Sequence, residues 1–222
     1  MTSPITGLYA IIDPVQTPDR DPIALARELL AGGCRLLQLR VKGAPGDRAA
    51  AASRAELARG VLALKREYDF TCVINDDPVL ARELQADGVH IGADDPSIPE
   101  VRRIIGQNKL IGYSAHTLAE AYAAQSQGAD YVAFGSIFPT ATKGPDHPVQ
   151  GLPKLSEVVR ALTVPVVAIG GITRDNVVAV WETGASAVAV ISALARATNP
   201  RAEVIAFLQR LRRQEWRQAA TG

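Results

Sequence analysis

Eight short, almost continuously apolar runs alternate with longer amphipathic stretches along this chain, and that alternation constrains the fold more than any other feature. The runs are Leu8–Ile12, Leu36–Leu39, Cys72–Ile74, Gly88–Ile91, Leu110–Gly112, Tyr131–Phe134, Val166–Ile169 and Ala187–Val190. Runs of this kind suit parallel strands covered on both faces. The intervening stretches predict helices over Ile23–Ala31, Ala49–Glu67, Pro78–Gln85, Pro99–Ile105, Leu118–Gln127, Leu155–Leu162, Arg174–Thr183 and Arg201–Arg212. Pro78 suits a first helical turn, and Gly32, Gly106, Gly128 and Gly184 suit helix ends. The pattern predicts a single (β/α)8 barrel of the TIM type, one domain over residues 1–222. A doubly wound open sheet is the alternative, but it typically uses fewer strands. No Pro/Gly/Ser-rich linker divides the chain.

Composition agrees with one globular domain. Of 222 residues, 47% are hydrophobic and 21% charged, enough for a core of normal size. With 24 Lys+Arg against 23 Asp+Glu, the net charge of +1 provides no basic field to recruit nucleic acid. An anionic ligand must be held by local placement. The start, MTSPITGLYAIID, has neither the basic nor the apolar segment of a signal peptide, and no apolar run approaches ~18 residues. A cytoplasmic protein without a membrane span is expected. Cys34 and Cys72 fall in strand patterns and read as reduced core residues without zinc-type partners. The sequence does not specify whether the chain forms a homo-oligomer.

In a barrel the carboxyl ends of the strands share one rim, where ligands bind. Asp13, the segment Gln38–Lys42, Asn75–Asp77, His90–Asp95, Tyr113–Ser114, Gly170–Gly171 and Ile191–Ser192 are all delivered there. In ADYVAFGSIFPTATKG (129–144) the sixth run, Tyr131–Phe134, stops at Gly135, which puts Thr140, Thr142 and Lys143 just beyond a buried run. The irregular stretch from Ser136 to Pro153 is the longest in the chain, and a loop that long in a compact domain is usually functional.

The chemistry of this rim is coherent. Arg40, Lys42 and Lys143 supply cations for a diphosphate. Arg40 and Lys42 alternate, so they share a face, and two lumenal cations without an anion would be costly to desolvate. Asp76 and Asp95, on adjacent strand ends, suit Mg²⁺, which takes one or two carboxylates plus substrate phosphates. Each lies in an Asp-Asp-Pro triplet, and spacing does not choose between the two carboxylates. Asp77 before Pro78 suits a helix N-cap, and Asp95 before Pro96 can be read the same way. Gly170–Gly171 and Ile191–Ser192 follow strands seven and eight, the usual phosphate corner of a barrel, with glycine for close approach and a helix start for its dipole. His90 reads equally as a packed core histidine or a ligand contact. His116 and His147 lie on loops that look exposed and receive no role.

The ordered motifs QLRVK, VINDD, GVHIGADD, GYSAHT, FGSIFPTATK, VQG, AIGGIT and VISA run from Gly7 to Leu194, and over this span the chain resembles the thiamine-phosphate synthase family. The resemblance implies joining a hydroxymethylpyrimidine diphosphate to a thiazole phosphate, or its carboxylated form, with release of pyrophosphate and use of Mg²⁺. Carried over by position, it implies that Gln38, Leu39, Arg40, Val41, Lys42, Asn75, Ser114 and Lys143 bind the pyrimidine diphosphate. Arg40, Lys42, Ser114 and Lys143 would act in catalysis. Thr140, Ala141, Thr142, Gly171, Ile191 and Ser192 would bind the thiazole phosphate, and Asp76 and Asp95 the metal. His90 occupies a family position near the pyrimidine. Val41 stands where an acidic residue is often found, and Ala93 where a Gln is often found. The stretch Asp95–Ser114 is one residue longer than in some relatives.

Two rival functions follow. The tautomerase branch shifts a proton on a thiazole phosphate and does not need the full diphosphate and metal set. Ser136 stands where such an enzyme tends to carry His. A non-catalytic phosphate-binding barrel would bind ligand without turnover. The complete set of rim residues favours the synthase.

Overall fold

The computed structural model describes residues 4–17, 19–41, 48–140 and 148–221, with the side chains of 48–50 and 213–221 outside that description. Eight parallel strands close into a barrel in sequence order: β1 (Gly7–Ile12), β2 (Leu36–Leu39), β3 (Thr71–Asn75), β4 (Gly88–Ile91), β5 (Leu110–Ala115), β6 (Tyr131–Gly135), β7 (Val166–Ile169) and β8 (Ala187–Val190). The closing pair is β1 with β8, in register Tyr9 to Ala189. Closure leaves no sheet edge to protect.

Around the barrel lie α1 (Pro22–Ala31), α2 (Arg48–Ala63), α3 (Pro78–Glu83), α4 (Ile98–Ile105), α5 (Leu118–Ser126), α6 (Gly151–Ala161), α7 (Val177–Trp181), α8 (Ser192–Ala195) and α9 (Pro200–Thr221). The apolar runs feed two separate cores because strand side chains alternate between faces. Leu8, Ala10 and Ile12 of β1 join the large layer beneath the helices. Tyr9 and Ile11 instead enter a smaller lumenal cluster with Leu36, Val73, Tyr131, Ala133, Val167 and Ala189. The runs are apolar throughout because both faces are covered.

Several boundaries differ from the sequence expectation. The helix expected over Ala49–Glu67 ends at Ala63 and tightens into a 3₁₀ turn, Leu64–Arg66. The stretch Arg174–Thr183 supplies only Val177–Trp181 as helix, because Thr173 and Asn176 spend their side chains on a local turn that delays it. The single turn α8 was not foreseen. β5 continues through Tyr113 and Ser114, so these are strand residues and not part of the following loop.

Candidate active site

At the carboxyl ends of the strands a cavity of about 280 Å³ opens into the lumen. Its polar lining includes Gln38, Arg40, Asn75, His90, Ser114, His116, Thr140 and Ser192, while Ile11, Ala133, Val167, Ile169 and Ala189 form apolar wall. Gln38, Asn75 and Ser114 come from β2, β3 and β5, and Gly170, Gly171, Ile191 and Ser192 follow β7 and β8 on the opposite side of the ring. Of the expected site residues within the described range, Gln38, Arg40, Asn75, Ser114, Thr140, Gly171, Ile191 and Ser192 line this one cavity, whereas Asp76 and Asp95 do not line it and Leu39 turns away. Its side chain lies in the layer beneath the helices, and Val41 packs against the same layer. Either can offer a ligand only backbone. Lys42, Ala141, Thr142 and Lys143 lie outside the described residues.

Arg40 is not a cation without an anion, which corrects the sequence argument from desolvation. Its Nη1 donates to Oδ2 of Asp13, a carboxylate with no exposed surface at the end of β1. The other oxygen, Oδ1, accepts the Val15 N–H at 3.0 Å and caps the 3₁₀ turn Pro14–Gln16. Arg40 keeps a quarter of its side chain exposed, so its remaining N–H donors can reach a ligand from an anchored base.

The lumen floor holds a line of polar side chains that the strand pattern did not announce. Gln38 Nε2 donates to the Tyr9 hydroxyl at 3.0 Å, which lies 2.9 Å from that of Tyr131. Tyr131 Oη is 3.1 Å from His90 Nδ1, and His90 Nε2 is 2.9 Å from Ser114 Oγ. His90 is 6% exposed, so it is both the packed histidine and a cavity-lining one. Burial pushes both phenol pKa values upward and keeps the hydroxyls protonated. Tyr9 and Tyr131 were missed because aromatic residues inside apolar runs read as core.

The carboxylates sort themselves by local bonding. Asp77 Oδ1 accepts the Leu80 N–H at 2.9 Å as the cap of α3, and its Oδ2 pairs with Arg54 at 3.0 Å. Asp76, at φ 61°, takes the left-handed backbone that Asp tolerates and donates its N–H to the His90 carbonyl at 2.8 Å. Asp95 does not cap α4. Ser97 does, with Glu100 completing a capping box, while Asp95 Oδ2 accepts the Gly92 N–H at 2.8 Å. The Tyr113 hydroxyl is shifted upward, first by burial and then by Glu120, Asp95 and Asp94, which marks this sector of the rim as negative. Among the described residues no group of three or more His, Cys, Asp or Glu side chains could hold a metal. Two carboxylates of hard oxygen character on adjacent strand ends nevertheless fit Mg²⁺, which retains waters and takes phosphate oxygens. They do not fit zinc, which wants Cys or His.

Opposite them, Gly170 and Gly171 have φ values of 101° and 64°, and a Cβ on Gly171 would come within 2.5 Å of the Pro139 carbonyl. Their glycine character is therefore already required by packing against the segment after β6. The Asn176 side chain donates to the Gly171 carbonyl at 2.9 Å and fixes the turn. Because α8 has four residues, its dipole is small, and Ser192 with the neighbouring backbone is what this corner offers an anion. His116, given no role from sequence, is partly buried in the cavity wall with Nδ1 2.6 Å from the Gly135 carbonyl. The strand geometry that brings it inward has no signal in the local sequence. Both cysteines lie in the outer layer, with thiol pKa values raised by burial, and neither touches the cavity.

A family model described as thiamine monophosphate synthase matches residues 8–194. A thiamine-phosphate synthase of Nitrosococcus oceani is 44% identical over 213 residues, covering 94% of each chain. One from Bacillus licheniformis is 43% identical over 192 residues, covering 86% of this chain and 84% of the relative. A thiamine phosphate pyrophosphorylase from Pyrococcus furiosus superposes with a TM-score of 0.83 at 35% identity, covering 94% of this chain and 96% of that one. Matched along most of its length in both sequence and architecture, the chain belongs to the thiamine monophosphate synthase family.

Proposed function

We propose that this chain transfers the aminopyrimidylmethyl group of hydroxymethylpyrimidine diphosphate to the ring nitrogen of a thiazole phosphate, or its carboxylated form, and releases pyrophosphate. The observation that carries this reading is one cavity of about 280 Å³ with two polar walls, Gln38–Arg40–Asn75–Ser114 and Gly171–Ile191–Ser192, and apolar lining from Ile11, Ala133, Val167, Ile169 and Ala189. Two phosphorylated heterocycles need such a site, with an anion-binding region at each end and dry surface between.

In this reading Gln38, Asn75 and Ser114 orient the pyrimidine, while Arg40 and Lys42 from the second strand end, with Lys143, receive its diphosphate. Backbone at Leu39 and Val41 completes that segment. Thr140, Ala141, Thr142, Gly171, Ile191 and Ser192 hold the thiazole phosphate, so the thiazole nitrogen approaches from the β7–β8 side. The C–O bond breaks with its electron pair going to pyrophosphate, and the thiazole nitrogen lone pair forms the new C–N bond. Charge builds on the departing oxygens, and Arg40, held by Asp13, is already in place to meet it. The apolar wall excludes water that would otherwise capture the electrophilic carbon. Asp76 and Asp95 would hold Mg²⁺, which supplies further positive charge to the diphosphate. No side-chain nucleophile is needed, and the enzyme contributes positioning and electrostatics. No helix among the described residues is long and apolar enough to cross a membrane, and the net charge offers nucleic acid no general attraction. We place the reaction in the cytoplasm, with the two small-molecule substrates as its partners.

Incubation with both substrates and Mg²⁺ should yield thiamine phosphate, detected by chromatography. Ligand binding without product at any Mg²⁺ concentration would indicate a non-catalytic barrel. Solvent proton exchange on the thiazole alone would indicate the tautomerase chemistry.

A further inference from the structure

The polar line across the lumen floor has a direction. Gln38 presents Nε2 to Tyr9, and an amide nitrogen only donates. With the Tyr9 oxygen accepting from Gln38, the Tyr131 oxygen at 2.9 Å is placed to take the Tyr9 hydrogen, one of the two directions open to this pair. In that direction Tyr131 donates to His90 Nδ1 at 3.1 Å, and Nδ1 must then be bare to accept it. A neutral imidazole bare at Nδ1 carries its hydrogen on Nε2, and that atom faces Ser114 Oγ at 2.9 Å. Ser114 then accepts from His90 and keeps its own hydrogen to donate elsewhere.

We infer that Gln38, Tyr9 and Tyr131 form a one-way hydrogen-bond chain that fixes His90 as the Nε2–H tautomer and makes the Ser114 hydroxyl a donor to an acceptor atom in the cavity. Tyr9 and Tyr131 are therefore positioning residues acting through His90. The flipped amide, with Oε1 toward Tyr9, would reverse every step and turn Ser114 into an acceptor, so the chain selects which substrate atom Ser114 recognises.

The surroundings are shaped for this chain. His90, Gly112 and Tyr131 are successive register partners on β4, β5 and β6. Glycine in the middle position leaves the space that the bond occupies. A Cβ on Gly112 would lie 2.3 Å from Tyr131 Oη and 2.4 Å from His90 Nδ1. The imidazole also stacks on the Tyr131 ring, with centroids 5.5 Å apart and planes at 28°, which fixes its orientation. Tyr9 and Tyr131 are at most 1% exposed, so water does not substitute for them.

Nitrogen NMR of ¹⁵N-histidine-labelled protein reads the tautomer directly and needs no turnover. Of the three histidines, His90 is assigned by the signals lost in His90→Asn. At neutral to mildly alkaline pH the wild-type His90 should show a protonated Nε2 and a bare Nδ1. In Tyr131→Phe the tautomers should mix, while Tyr9→Phe, with its break one step further away, should give partial mixing. A kinetic arm, which rests on the proposed function, should show Tyr131→Phe raising the pyrimidine-diphosphate KM about tenfold, as for loss of one aligned hydrogen bond, with the thiazole-phosphate KM unchanged. A wild-type His90 protonated at Nδ1, or at both nitrogens, would overturn the inference whatever the variants do. An unchanged single tautomer in folded Tyr131→Phe would overturn it as well. A correct tautomer in a protein that makes no thiamine phosphate would leave the chain standing and reject the function.

Discussion

Asp13 and Arg40 form an unequal pair: the carboxylate is entirely buried, whereas the guanidinium keeps a quarter of its side chain in solvent. The two deletions should therefore differ. Arg40→Ala leaves a buried anion held by one backbone N–H from Val15 and should cost about 3 kcal/mol of stability. Asp13→Ala leaves a cation that can turn to water and should cost about 1–2 kcal/mol, discounted for that exposure. Urea unfolding of both variants decides the order. Equal losses would mean that the carboxylate is not as isolated from water as its burial suggests.

Asp76→Ala and Asp95→Ala should each abolish most turnover while circular dichroism remains that of the wild type. Neither carboxylate caps a helix, since Asp77 and Ser97 perform that task. Activity measured across a Mg²⁺ titration checks the assignment, and wild-type rates at low Mg²⁺ in either variant would reject it.

Ser192→Ala should act on one substrate. It removes a hydroxyl from the β8 corner, so the thiazole-phosphate KM should rise about tenfold, the effect of one hydrogen bond. Initial rates with each substrate varied in turn would reveal it. An equal rise in both KM values would contradict two separable walls.

Alkaline pH should destabilise the fold. Burial raises the pKa values of Tyr9, Tyr131, Cys34 and Cys72, the last from 9.0 to about 12. These groups stay neutral in the folded chain while the unfolded chain ionises, so their contribution is intact below pH 9 and is lost as pH rises toward the folded values. Each group that titrates only in the unfolded state contributes a slope of about 1.4 kcal/mol per pH unit. Urea midpoints should stay flat through neutrality and fall above about pH 9. A midpoint that holds to about pH 11 would show that the floor tyrosines and thiols are not sealed from solvent.

The barrel was legible because parallel strands covered on both faces leave an apolar signature that depends on neither partner nor register. The rim was legible for a related reason, since most strand ends are marked by a change from an apolar residue to Asn, Asp, Arg or Gly, with Ser in that place at the ends of β5 and β8. What the pattern hid depends on neighbours distant in sequence. Asp13 and Arg40 are 27 residues apart, and Tyr9 and Tyr131 are 122 apart. The first pair meets because β1 pairs with β2, and the second meets across the lumen of the closed barrel. Leu39 shows what a motif leaves out: its backbone lies in the segment that reaches the mouth, but strand alternation sends its side chain outward.

The most direct measurement of the central claim is a single-turnover reaction with both substrates, Mg²⁺ and excess enzyme, following thiamine phosphate and pyrophosphate together. Thiamine phosphate and pyrophosphate should appear at the same rate and in equal amounts, and pyrophosphate should not accumulate when the thiazole phosphate is withheld. Pyrophosphate released in excess without thiamine phosphate would mean that the cavity hydrolyses its pyrimidine substrate and does not join two, and would contradict the account.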